Sequence, residues 1–189
     1  MKKIEAFFLF FMGLVPFMWL RQGYTIARLD YFPFWSNPQK TLNTDVHLWA
    51  LDNMGHADPS SAYIIYESFW LFLRSTGLSV ELIQILLHAL SFVGAGFSMH
   101  YLSRTVYPKV NSSHIIASVF YMFNFFVLQS RLNIGFVWTY TFLPLLVALL
   151  VKILEAVPQQ DSKATNKRII FFGIASTIIL SFASINPPN

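Results

Sequence analysis

The chain of 189 residues contains no cysteine. That absence excludes a disulfide framework, a thiolate metal site and a cysteine nucleophile, and it leaves the redox compartment unread. Charge is scarce as well: 12% of residues are charged and 55% are hydrophobic, whereas soluble domains carry about 25% charged residues. No repeat of fixed period and no low-complexity tract is present, so repeat architectures are set aside. No basic cluster interleaves with aromatics, so the formal charge of +4 gives no nucleic-acid surface. In a polytopic chain a basic excess reports cytoplasmic loops instead. What is left is the composition of an integral membrane protein.

What the chain does have is apolar runs of bilayer length. Lys2 and Lys3 precede Ile4–Leu20, long enough at about 1.5 Å per residue to cross most of a hydrocarbon core of roughly 30 Å. A signal peptide would exit through small residues, but this run exits through Met18-Trp19-Leu20-Arg21-Gln22, so the sequence predicts an uncleaved first span. Pro16 inside it predicts a kink. Further spans are predicted at Ser79–Ser103, His114–Ser130, Phe136–Leu154 and Arg168–Ile185. Between the first two spans, Ala62–Leu73 is apolar and rich in aromatics, namely Tyr63, Tyr66, Phe69, Trp70 and Phe72. It is read as a helix over 62–76 that lies in the membrane interface.

The distribution of lysine and arginine decides whether that segment lies flat or crosses. If it lies flat, the cytoplasm receives Lys2, Lys3, Arg104, Lys109, Lys152, Lys163, Lys167 and Arg168, eight of the thirteen basic residues. Arg21, Arg28, Lys40, Arg74 and Arg131 then fall outside. If it crosses, the balance inverts against the positive-inside tendency. The expected fold is therefore all-α: a polytopic transmembrane bundle of about five spans, with a cytoplasmic N-terminus and an interfacial helix closing a long outer loop, residues 21–61. The protein is placed in the cell membrane as a multi-pass chain. Asn111-Ser112-Ser113 fits a glycan-acceptor pattern, but it falls on the cytoplasmic side and carries no weight. The chain ends at Asn186-Pro187-Pro188-Asn189 directly after an apolar run, and residues 1–189 are expected to be the N-terminal part of a larger transmembrane domain.

The loop Asp30–Pro59 is the one long polar stretch and holds Asp30, Asp45, Asp52 and Asp58, four of the nine acids. The chain thus carries a first span, a long outer loop opening with an acid, a short aromatic helix, an inward span and a helical hairpin. Together with Leu29-Asp30-Tyr31-Phe32-Pro33, Trp49 through Gly55-His56, and Asn186-Pro187-Pro188, this order resembles the amino-terminal module of the GT-C superfamily of membrane glycosyltransferases. The quoted stretches are most similar to its arabinofuranosyltransferase-like and YfhO-type multispan members. The resemblance implies transfer of a sugar from a polyprenyl-phosphate-linked donor to a glycan, lipid or protein acceptor of the cell envelope, at the outer face. It also implies that Asp30 is the catalytic acid of the first outer loop. The loop departs from the family in lacking an Asp-x-Asp pair, and the chain lacks the later helices and any soluble C-terminal domain. Activity is therefore expected of the full-length protein and not of this chain alone.

Each candidate residue has a chemical and a structural reading. Asp30 would accept the proton of the attacking hydroxyl, or it caps a helix or pairs with Arg28. Arg131 would hold a donor phosphate through two parallel hydrogen bonds, or it snorkels at the interface. Arg74 has the same two readings. Asp45, His47, Asp52, His56 and Asp58 match no dedicated metal motif. A divalent ion is compatible with a phosphate leaving group, but no motif supports one, and no metal site or cofactor is assigned. Asp58-Pro59-Ser60 reads as a helix cap. Glu81, Gln84, His88 and Ser91 form a polar stripe at helical spacing, for cavity lining or for interhelical hydrogen bonding, with Gly94 and Gly96 allowing close packing. Two alternatives to the enzyme remain open: a transporter or flippase for lipid-linked sugars, and a non-catalytic membrane assembly subunit.

Overall fold

The computed structural model describes residues 3–19, 49–50, 56–57, 64–109, 113–124, 134–156, 167 and 169–177. Five α-helices make up its described core: α1 (Lys3–Met12), α2 (Ile64–Ser75), α3 (Val80–Val106), α4 (Ser113–Met122) and α5 (Ile134–Ala156). A 3-10 helix, Val15–Trp19, follows α1, and residues 169–177 are helical as well. The long polar segment contributes one short antiparallel pairing, β1 (Trp49–Ala50) with β2 (His56–Ala57), in which Trp49 faces Ala57 and Ala50 faces His56. Two helices, Val80–Val106 and the Val137–Glu155 part of α5, are long and apolar enough to cross a membrane.

The first apolar run does not form one continuous α-helix. It breaks after Met12 and rewinds as a tighter helix. Pro16 has no N–H to give to the carbonyl of Met12, and its ring crowds the preceding turn. Gly13 sits at the break, where an added Cβ would run into Val93 of α3. The break therefore lets α1 approach α3 closely.

Helix α2 spans twelve residues, about 18 Å at 1.5 Å per residue, too short for a hydrocarbon core of about 30 Å. It buries Trp70 against Ile83 and Leu87 of α3 and leaves Phe69 and Phe72 exposed. Its end is tightly specified. Thr76 bonds the Leu73 carbonyl through its hydroxyl at 2.6 Å, Gly77 N donates to the Arg74 carbonyl at 3.0 Å, and Gly77 adopts φ +85°. A left-handed residue just past a helix end is the usual place for glycine. The Ser79 hydroxyl then caps α3 by accepting from Leu82 N at 3.3 Å.

Helix α3 is the hub, packing against α5 and α4 most extensively and against α1, the 3-10 helix and α2. Its apolar side chains are spread around the helix, with Gln84, His88, Ser91, Ser98 and His100 buried among them, and 61% of its apolar window is buried against 28% for α5. The contacts fix helix direction. Gly13 meets Val93 while Glu5 meets His100, so α1 runs antiparallel to α3. Gly96 meets Met122 while His100 meets His114, so α4 is antiparallel to α3 too. Helices α3 and α5 run parallel: the Thr141 hydroxyl donates to the Ser91 carbonyl at 3.0 Å, and Arg104 and Lys152 line one groove further on. An added Cβ on Gly94 would come within 2.7 Å of Thr141 Cγ2, so the two backbones meet most closely at that level.

The expected span His114–Ser130 differs from what is observed: α4 ends at Met122, and residues 125–133 lie outside the described part. Asn124 turns its amide back onto the Tyr121 carbonyl at 3.1 Å, a side-chain bond that competes with helix propagation. Helices α3 and α5 run two or three residues beyond their expected ends, and the expected last span is described only through 177.

Near that point, Pro144 inside α5 has no N–H for the carbonyl of Tyr140. The Tyr121 hydroxyl donates to that carbonyl at 2.7 Å, and the Tyr140 hydroxyl donates to the Tyr121 carbonyl at 3.0 Å. The two rings stack with centroids 4.0 Å apart and an 11° interplanar angle. The Tyr121 hydroxyl thus supplies the donor that Pro144 cannot give to the Tyr140 carbonyl. Tyr121→Phe is expected to destabilise the bundle by about 1–3 kcal/mol, the cost of an unsatisfied buried acceptor. Combining it with Pro144→Ala, which restores an N–H at position 144, should shrink that penalty. Equal penalties in both backgrounds, measured by unfolding in detergent, would refute the pairing.

Candidate functional site

The expected catalytic and phosphate-binding residues, Asp30 and Arg131, lie outside the described residues, as do Asp45, His47, Asp52 and Asp58. His56 is in β2. Arg74 is described, and its guanidinium donates to the Leu78 carbonyl at 2.9 Å. It therefore closes the α2 to α3 turn, bonding the carbonyl just before the Ser79 cap.

The described residues assemble two buried polar layers. The first is the expected stripe. Gln84, His88 and Ser91 are buried on α3, whereas Glu81 in the first turn is only partly covered. Nδ1 of His88 lies 2.7 Å from the Gln84 carbonyl, so it carries the proton, and the Ser91 hydroxyl donates to the Leu87 carbonyl at 2.9 Å. The His88 and Ser91 bonds turn back within α3. A cross-helix bond at this level comes from Thr141, whose hydroxyl is shared between the Ser91 and Val137 carbonyls. Trp19 packs edge-on to His88 and Phe92, with ring centroids 6.5 Å and 5.6 Å away. None of Gln84, His88 and Ser91 lines the groove between α3 and α5.

The second layer was not anticipated. Glu5 from the first turn of α1, His100 from α3 and His114 from the first turn of α4 converge at the opposite end. His100 Nε2 lies 3.7 Å from Glu5 Oε2, and the His100 and His114 rings meet edge-to-face at 5.9 Å. Both histidines are buried, and neither ring nitrogen of His100 nor Nδ1 of His114 has a hydrogen-bond partner among the described residues. The nearby Ser103 and Ser118 hydroxyls return to the His100 and His114 carbonyls. Among the described residues no group of three or more histidines and acids is placed to hold a metal ion. Two imidazoles beside one carboxylate suit hydrogen-bond donation or proton exchange. The readable signal was an ionisable residue inside each of two predicted spans.

A groove of about 660 Å³ runs between α3 and α5 from Gly94 to Arg104 and Lys152, with His100 on its wall. Comparison with known protein families, with curated proteins and with solved structures finds no match.

Buried polar atoms without partners lower stability, and groups kept despite that cost belong to working sites. His100→Leu, of similar volume, is expected to leave stability in detergent unchanged or to raise it by up to about 1–3 kcal/mol. A loss of more than about 1 kcal/mol would mean that the ring does hold a structural bond.

Proposed function

We infer that the chain is the N-terminal helical part of a multi-pass membrane glycosyltransferase of the GT-C kind. It would transfer a sugar from a polyprenyl-phosphate-linked donor to a cell-envelope acceptor on the outer face. The observation that carries the membrane half is the strongly apolar outer surface of the bundle, beside polar side chains held inside. Gln84 and His88 are 1% and 2% exposed, while Phe7, Phe120 and Leu154 are 71%, 74% and 71% exposed. A surface of that kind needs an apolar solvent.

Helix direction supports the expected topology. Helices α1 and α3 run antiparallel with only the twelve-residue α2 between them, which fits an α2 that does not cross. Lys3, Arg104, Lys109 and Lys152 then share the end that holds the N-terminus of α1 and the C-termini of α3 and α5, as cytoplasmic ends do. Trp19, which precedes the Asp30 segment, and Asn124 and Ile134, which bracket Arg131, belong to the other end.

The chemical half rests on the resemblance carried by Leu29-Asp30-Tyr31-Phe32-Pro33. In the proposed step the Asp30 carboxylate takes the proton of the acceptor hydroxyl, and that oxygen bonds to the anomeric carbon. The polyprenyl phosphate leaves with the electron pair of the broken C–O bond, its charge offset by Arg131. One observation favours a second reading. His100 and His114, buried beside Glu5, also suit a transporter of lipid-linked sugars that moves protons, because ionisable groups at that depth mark ion and substrate pathways.

Two measurements separate these readings. In the full-length protein, Asp30→Asn is expected to lower sugar transfer by about 10²–10⁴-fold, the usual worth of a general base. Full activity in a well-expressed variant removes Asp30 from the chemistry, and translocation of a lipid-linked sugar without turnover favours the transporter. Topology can be read directly because the chain has no cysteine to give background. An impermeant thiol reagent should label Asn53→Cys in intact cells and spare Lys109→Cys, and the reverse pattern would invert the bundle.

A further inference from the structure

The groove between α3 and α5 is basic at one end and largely apolar along its length, and of the candidate residues only His100 borders it. It opens below the level where Gly94 and Thr141 touch. Phe97, Phe142 and Leu145 line its depth, and Arg104 and Lys152 stand at its mouth. The Arg104 guanidinium has no ion-pair or hydrogen-bond partner among the described residues. Lys152 holds Glu155 at 2.8 Å on the exposed side, which leaves two of its three N–H donors. His100 lies four residues before Arg104 on the same helix face, about 6 Å deeper along the axis. It is 3% exposed, and neither ring nitrogen has a hydrogen-bond partner. Glu5 at 3.7 Å is beyond hydrogen-bond reach.

We propose that this groove seats one anionic glycerophospholipid of the leaflet at the basic end. The proposal rests on the membrane reading above. The spacing fits the layers of such a molecule. The phosphate sits at the mouth, where the guanidinium fork of Arg104 gives two parallel hydrogen bonds and Lys152 adds a point charge. The ester region lies about one turn deeper, beside the His100 ring on the groove wall. The acyl chain then lies along Phe97, Phe142 and Leu145. A free phosphate would leave that apolar length empty. A choline headgroup would bring its own cation against Arg104 and Lys152, so the mouth selects against zwitterionic lipid. Basic pockets between helices at a cytoplasmic surface are suited to acidic headgroups in general.

The test uses the full 189-residue chain, first floated with phosphatidylcholine vesicles and then released into mild detergent for native mass spectrometry. Phosphatidylglycerol, phosphatidylcholine and soluble glycerol phosphate are supplied in turn. One phosphatidylglycerol should be retained per chain, with phosphatidylcholine and glycerol phosphate lost. Arg104→Gln combined with Lys152→Gln should weaken retention about tenfold or more, because each cation near the surface contributes measurably to acidic-lipid binding. Lys109→Gln removes a charge from the same end but outside the groove, and it should change retention by less than about twofold.

Equal retention of both lipids, an equal loss in Lys109→Gln, or retention of glycerol phosphate alone would each overturn the site. Retention of no lipid would mean that protein covers the groove, and would overturn it too. Failure of the chain to float defeats the membrane reading and takes this proposal with it, whereas flotation without selectivity defeats the groove alone.

Discussion

A backbone carbonyl without an amide partner needs another donor when no water is at hand, and in this fold the requirement centres on Tyr140. Pro144 removes its helical partner, and α4 ends at Met122, beside the Tyr121 carbonyl. The stacked tyrosines exchange hydroxyl bonds to these two carbonyls, with the Asn124 amide joining at the Tyr121 carbonyl and the Tyr140 hydroxyl. That exchange sets where α5 starts relative to the end of α4. One residue later, Thr141 is fastened to Ser91 through its hydroxyl and to Ser98 through its carbonyl. The register of α3 against α5, and hence the groove below it, follows from the same short stretch of chain.

Much of the bundle's interior bonding is short-ranged. Ser91, Ser103, Ser118 and His88 each bond a carbonyl three or four residues back on their own helix. This lets a helix carry small polar residues into a dry interior without waiting for a neighbour. Gly13, Gly94 and Gly96 do the complementary work by removing side-chain volume where Val93, Thr141 and Met122 press in. These contacts work beside two buried apolar clusters, around Trp70 with Ile83 and Leu87 and around Leu9, Phe92 and Met122. Other apolar side chains, Phe7, Phe11, Ile116 and Phe120 among them, lie on the outer surface.

The helices were legible because length and hydropathy mark them directly. Ser79 announced the start of α3, and the aromatic run announced α2. What was not legible depended on partners distant in sequence. The stop at Met122 required Asn124 to fold back, and nothing local distinguished it from a continuing apolar run. The break after Met12 was half visible, since Pro16 implied a kink but not the role of Gly13 against Val93. The Glu5, His100 and His114 layer joins three helices that composition treats separately. Glu5 reads from the sequence only as a charge near the N-terminus. The stripe of Gln84, His88 and Ser91 was visible by its spacing, but spacing could not show that its bonds turn back along α3.

The bond from Thr141 to Ser91 also has a timing. It spans 50 residues of chain, and synthesis at about 5–20 residues per second separates the two partners by a few seconds. During that interval α3 is complete while the helix that will cover it is still being made. Ser91 and His88 already have their own-helix carbonyls, so the nascent helix holds these polar side chains satisfied before α5 is made. When α5 arrives, its threonine adds a bond to the waiting carbonyl and displaces none. The hub helix thus satisfies these side chains before α4 and α5, the helices it packs against most, have been made.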